Sequence, residues 1–221
     1  MFYHCSEDKL KVNDVLDGNK GKNSKDIRDY AKIYEGMCTD EDFFTLLKAN
    51  IDCLCTQLNA LNKSNINGGK SQITANNFNK EVIIYKMRRE MKCATEGIIE
   101  RYRKSNQCNC LSRLSSVFSY DEIENCINFI NKERKKGKIY LLKNVSNWCY
   151  SNVDYYEDIY KKVDDIRRKD DYKSAEILFE ELHELINKYH MDCIKNVKGV
   201  NYEILIPDNT AIIDSVILTE S

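Results

Sequence analysis

The chain has 221 residues, 34 Lys and Arg against 35 Asp and Glu, 42% hydrophobic residues and a formal net charge of −1. That balance excludes a generally basic nucleic-acid binder and an acidic tail protein, and the apolar content excludes general disorder. The length suits one domain or at most two small ones.

Residues 1–23 read as a flexible polar arm, 24–200 as a Cys-bearing helical bundle and 201–221 as an extended tail. The expected fold class is all-α, with about six to seven helices. Ser24 is positioned to cap a first helix with Ile27, Tyr30, Ala31 and Tyr34 on one stripe, ended by Gly36. Thr39 opens a second, acidic in its first turn, with Phe43, Leu46, Leu47, Ile51, Leu54, Leu58 and Leu61 at helical spacing. A loop over 62–73 precedes a third long helix carrying Phe78, Val82, Tyr85, Met91, Ile98 and Tyr102. A short helical turn is expected over 111–118. Ser119 and Glu122 form a capping box for a helix with Ile123, Cys126, Ile127 and Ile130.

Tyr140, Leu141, Leu142, Val145, Trp148 and Cys149 fit a helix over 139–150. Asn152 caps another, with Tyr155, Ile159, Val163 and Ile166. Asp170 or Asp171 caps the last, with Ala175, Leu178, Phe179, Leu182, Ile186, Tyr189 and Cys193. The tail alone changes period: Ile204 to Ile206, a Pro-Asp-Asn-Thr turn and Ala211 to Leu218 fit a β-hairpin or an extended strap.

Ten cysteines, Cys5, Cys38, Cys53, Cys55, Cys93, Cys108, Cys110, Cys126, Cys149 and Cys193, are spread along the chain. An even, scattered set reads as disulfides in an oxidising compartment, with the pairing open. Buried free thiols are the alternative. Zinc is disfavoured, because C-x2-C spacing is absent and Cys53 and Cys55 stand about 200° apart around a helix. Metal ligands and cofactors are therefore expected to be none. The first residues, MFYHCSEDKLKVND, contain no apolar signal region, and no apolar run approaches the length needed to span a bilayer.

Other chemistry is thin. His183-Glu184 begins an H-E-x-x-H pattern, but Asn187 stands where the second His belongs. His183 and His190 share a helical face. Gly68-Gly69-Lys70-Ser71 lacks the strand that a phosphate loop requires. Lys132, Arg134, Lys135, Lys136 and Lys138 form the densest basic run. It suits an anionic surface, or simply a solvated helix end where cations complement the dipole. Tyr155, Tyr156 and Tyr160 cluster as binding anchors or as half-buried core. Asn62 and Asn144 begin glycosylation acceptor triplets. No catalytic residues are singled out.

Three stretches resemble the Plasmodium interspersed repeat (PIR) variant surface family, including its vivax branch. Cys55-Thr-Gln-Leu58-Asn-Ala-Leu61 is similar to its Cys-x-x-Leu-x-x-Leu helix. Asp154-Tyr155-Tyr156 is similar to its Asp-Tyr-Tyr stretch, and Leu185 through Tyr189 to Cys193 to its Tyr-x-x-x-Cys helix end. Residues 78–91 lack the family's aromatic Trp segment. The resemblance implies a non-enzymatic surface or exported antigen domain that contacts a host-cell or parasite protein. The alternative is a cytosolic helical adaptor or scaffold with reduced thiols.

Overall fold

Thr39 shows how local chemistry sets a boundary. Its hydroxyl accepts from the Asp42 N–H at 3.0 Å while the Asp42 carboxylate accepts from the Thr39 N–H at 3.1 Å, a reciprocal cap that satisfies two otherwise orphaned amides. The helix it opens runs Asp40–Ser64. The computed structural model describes residues 1–6, 9–17, 22–64, 70–133, 137–194 and 201–219. Among them are six α-helices and six strands. In chain order these are β1 (Phe2–Ser6), α1 (Lys22–Glu35), α2 (Asp40–Ser64), α3 (Lys70–Ser105), β2 (Ser116–Ser119), α4 (Ile123–Glu133), β3 (Lys138–Lys143), β4 (Cys149–Asn152), α5 (Val153–Arg167), α6 (Tyr172–Met191), β5 (Tyr202–Pro207) and β6 (Ile212–Thr219).

The chain divides into two compact units. The helical unit comprises Ile27–Arg101 and Asp158–Glu184. Phe43 on α2 is fully buried, its ring 5.3 Å from Tyr34 of α1 and 6.0 Å from Phe179 of α6. Leu47, Ile51, Ile98, Ile159, Val163, Ile166 and Leu182 complete this core. A Cβ built on Gly97 of α3 would stand 2.5 Å from both the Ala31 carbonyl oxygen and Tyr34 Cβ, so the α1–α3 approach at that point admits only glycine. Tyr34 donates to Glu90, and Asn50 Nδ2 donates to the same carboxylate at 2.7 Å.

The second unit comprises Met1–Asp26, Tyr102–Glu157 and Leu185–Ser221. It holds two antiparallel three-stranded sheets, ordered β1-β3-β6 and β2-β5-β4. The all-α expectation is thereby corrected: the fold is mixed α and β. Residues 139–150 are not a helix but β3, a connection and the start of β4. Part of the turn expected over 111–118 is a 3-10 turn at Arg113–Ser115 that leads into β2. Phe2–Ser6 of the expected arm pairs with β3. The C-terminal segments are strands, yet they form no hairpin: β5 is central in one sheet and β6 lies at the edge of the other.

Burial explains why period misled. On β3, Tyr140 and Leu142 face a cluster shared with Val117, Ile204, Ile206 and Ile213. Ile139, pointing the other way, joins Cys126 and Ile130 of α4. A strand covered on both faces loses the alternation that identifies strands, and a short apolar run cannot then be told from helix by spacing. β5 has the same property, with Ile204, Leu205 and Ile206 all buried.

Candidate metal centre

Four segments of the sheet-bearing unit converge on three cysteines and a histidine. Cys110 lies in the connection after α3. Cys149 opens β4. His190 ends α6, and Cys193 sits in the 3-10 turn Asp192–Ile194 that follows. A spacing of three keeps His190 and Cys193 on one face of the chain as it leaves the helix. Ligand atoms of Cys110, His190 and Cys193 all lie within 4.8 Å of one another. The Cys193 thiol donates to the Tyr189 carbonyl at 3.6 Å, and Cys149 lies outside the group of three, on the strand β4 that packs against the Cys193 turn.

The surroundings hold these side chains in place. His190 is buried, stacked on the Tyr102 ring at 6.1 Å and 12°, and set edge-on to Tyr189 at 5.1 Å. Asn152 Nδ2 donates to Asp192 Oδ2 at 3.2 Å, tying the end of β4 to the turn that bears Cys193. Side chains alternate along a strand, so Ser151 shares the face of Cys149. Ser151 Oγ meets Arg113 Nη1 at 2.6 Å and Tyr189 Oη at 2.9 Å. Arg113 is buried, pairs with Glu203 at 3.2 Å, and lies between the rings of Phe118 and Tyr156 at 4.6 and 4.3 Å. The result is one polar brace that joins β2, β4, β5, α5 and α6 beside the sulfur cluster.

The sulfurs do not share charge equally. In the thiol state, Cys110 Sγ donates to the His190 carbonyl at 3.0 Å. When Cys110 loses its proton, hydrogen bonding from Cys193 is the chief reason that its pKa falls to about 5; burial opposes this, and His190 and Arg103 assist. Cys149 is also lowered, mainly by the Cys193 hydrogen bond, against burial and with help from the Leu111 N–H. Cys193 is correspondingly raised, as donor to Cys110 and then to Cys149. Thiolates stabilised in this way are the form that binds metal.

The set suits zinc, which takes tetrahedral sulfur and nitrogen donors. Ligand atoms around tetrahedral zinc stand roughly 3.5–3.8 Å apart, so the 4.8 Å spread closes onto an ion with a side-chain adjustment of about 1 Å. Cys110, His190 and Cys193 supply three donors, and Cys149 on the adjoining strand β4 is the sulfur placed to supply a fourth.

The other sequence-singled residues go elsewhere. His183 meets Asp40 Oδ2 at 3.4 Å in the helical unit, where Arg101 also pairs with Asp40. Burial alone would raise Asp40, but the hydrogen bond and charge of His183, with Arg101, outweigh it and hold the carboxyl below its usual range. Cys38 and Cys53 are exposed, Cys55 and Cys108 half-buried, and Cys93 buried, its thiol pushed up to about 12 by that burial. Cys5 and Cys126 lie together between β1 and α4. The structure describes all ten as thiols. Of the basic run, Lys138 belongs to β3; the Lys132 side chain and Arg134, Lys135 and Lys136 lie outside the described residues. Gly68-Gly69 also lies outside them. Tyr156 covers Arg113, while Tyr155 and Tyr160 are half-buried.

Comparison with models of known protein families and with curated proteins finds no match for this chain. The PIR resemblance therefore stands on its three stretches alone, which lie in α2, in α5 and across the end of α6. No helix among the described residues is long and apolar enough to cross a membrane.

Proposed function

We propose that the chain is a non-enzymatic protein-binding module whose sheet-bearing unit is closed by a structural zinc ion on Cys110, Cys149, His190 and Cys193. The observation that carries this reading is the gathering of Cys110, His190 and Cys193 ligand atoms within 4.8 Å; Cys149, on the strand that packs against the Cys193 turn, completes the proposed set. Three sulfurs and a ring nitrogen are a complete zinc set, whereas a disulfide uses two of the sulfurs and strands the third. With Cys149 drawn in as the fourth donor, no position is left for water or substrate, which is the arrangement of a structural site. Tyr30 and Ile33 on α1 and Tyr85 on α3 are each about half exposed or more, the kind of apolar surface that receives a protein partner.

Reduced, metal-bound cysteines favour the adaptor or scaffold setting within a reducing compartment. The three PIR-like stretches favour the second reading, an exported or cell-surface antigen domain with oxidised cysteines. Elemental analysis of the full chain, purified with zinc under mild reduction, tests the choice. One zinc per chain, lost in Cys110→Ser and Cys193→Ser and kept in Cys38→Ser, is the expected result. A wild-type chain that folds without zinc and carries a disulfide at Cys193 overturns it.

A further inference from the structure

The zinc reading leaves a second sulfur pair unused. Cys5 stands mid-strand on β1, and Cys126 lies in α4. Cys5 Sγ donates to the Cys126 carbonyl oxygen at 3.6 Å, which sets the two residues side by side. Both lie in the apolar cluster of Tyr120, Ile130 and Ile139, with Tyr3 beside them. Their exposures differ: Cys126 is fully buried and Cys5 is partly open. Cys5 is therefore the more accessible of the two, and Cys126 the one shielded from solvent.

We propose that Cys5 and Cys126 are a redox pair that a low-molecular-weight disulfide such as oxidised glutathione closes into a covalent staple between β1 and α4. The Cys5 thiolate attacks one glutathione sulfur. The glutathione S–S bond breaks, and one glutathione thiolate leaves and takes up a proton. Cys126 then attacks the Cys5 sulfur of the mixed disulfide, the Cys5–glutathione S–S bond breaks, and the departing glutathione thiolate takes up the proton that Cys126 loses. Two protein thiols are oxidised by two electrons, and one glutathione disulfide is reduced to two thiols.

The placement gives the staple a consequence. β1 is a five-residue strand at a sheet edge, held by pairing to β3, by a bridge from Tyr3 to Tyr120 and by His4 Nδ1 against the Phe118 carbonyl at 2.8 Å. Short strands at a sheet edge open before central ones. A bond from the middle of β1 to α4, across a separation of 121 residues, holds that edge closed. Oxidation thus switches an edge strand between one that frays and one that does not.

The test uses the full zinc-loaded chain in glutathione buffers of rising oxidised fraction, with peptide mapping by mass spectrometry. The expected product is a peptide pair linked Cys5–Cys126, with β1 amide exchange slowed about tenfold relative to the reduced chain. Cys126→Ala should instead accumulate glutathione on Cys5, and Cys5→Ala should leave Cys126 unmodified. Glutathione persisting on Cys5 in the wild-type chain, or both thiols staying free to alkylation, overturns the proposal. Zinc content measured on the same samples separates this result from the fate of the metal site.

Discussion

The helical unit and the sheet-bearing unit are stabilised by different means. In the first, large side chains at helical spacing bury themselves: Phe43 against Tyr34 and Phe179, with Ile159, Ile166 and Leu182 around them. Polar groups are buried there too, Arg28, Thr95, Glu96 and Glu100 among them, but they sit among packed helices. In the second, short strands from distant parts of the chain meet, and the polar groups are central: Arg113 is inside, and so are His190 and Cys193. A unit of short strands that gathers its sulfurs in one place has a metal available as a staple; the unit of long helices rests on packing and on its own buried polar groups, Arg28 and Glu100 among them.

That contrast breaks first, and most, on metal removal. A strong chelator should unfold the sheet-bearing unit before the helical one. Structural zinc in small domains contributes on the order of 10 kcal/mol or more at neutral pH, so loss of strand signal and of sheet amide protection should precede loss of helical ellipticity. Arg113→Met comes next. It leaves the mostly buried Glu203 without its cation, and breaking such a pair costs roughly 3–5 kcal/mol; chemical denaturation should show this with little change in helix signal.

In the helical unit, Gly97→Ala tests packing. Two α1 atoms stand 2.5 Å from the new Cβ, one of them backbone, so α1 must shift, at about 1–3 kcal/mol. The smallest effect is at Asp40. Its folded-state pKa lies below the unfolded one, so its contribution is present above the unfolded carboxylate range and is lost as pH falls through the folded value. Asp40→Asn should flatten the acid limb of stability by about 1 kcal/mol or less, since such partly open ion pairs are worth little.

Legibility divided along the same line. The helices of the first unit announced themselves through caps and stripes: Thr39, Asn152 and Asp171 each cap as their sequence setting predicts. Strand β3 hid because Ile139 is buried on the face that should have been polar; β5 was legible as extended chain, but not its central place between β2 and β4. β1 hid because its pairing partner is β3, more than 130 residues away. The metal donors hid for the reason that sheets are hard to read: Cys110, Cys149 and His190 are brought together by tertiary contact, not spacing. One local signal is present, the His190-x-x-Cys193 step at a helix end, but His183, seven residues earlier on the same face, masks it. Arg113 gave no signal, because nothing in a sequence marks which of 34 cations goes inside.

X-ray absorption at the zinc edge of the full chain tests the central claim most directly. Three sulfurs at about 2.3 Å and one nitrogen at about 2.0 Å are the predicted first shell. A shell of light atoms only, or zinc that survives intact in the chain lacking the Cys110, Cys149 and Cys193 thiols, would contradict it.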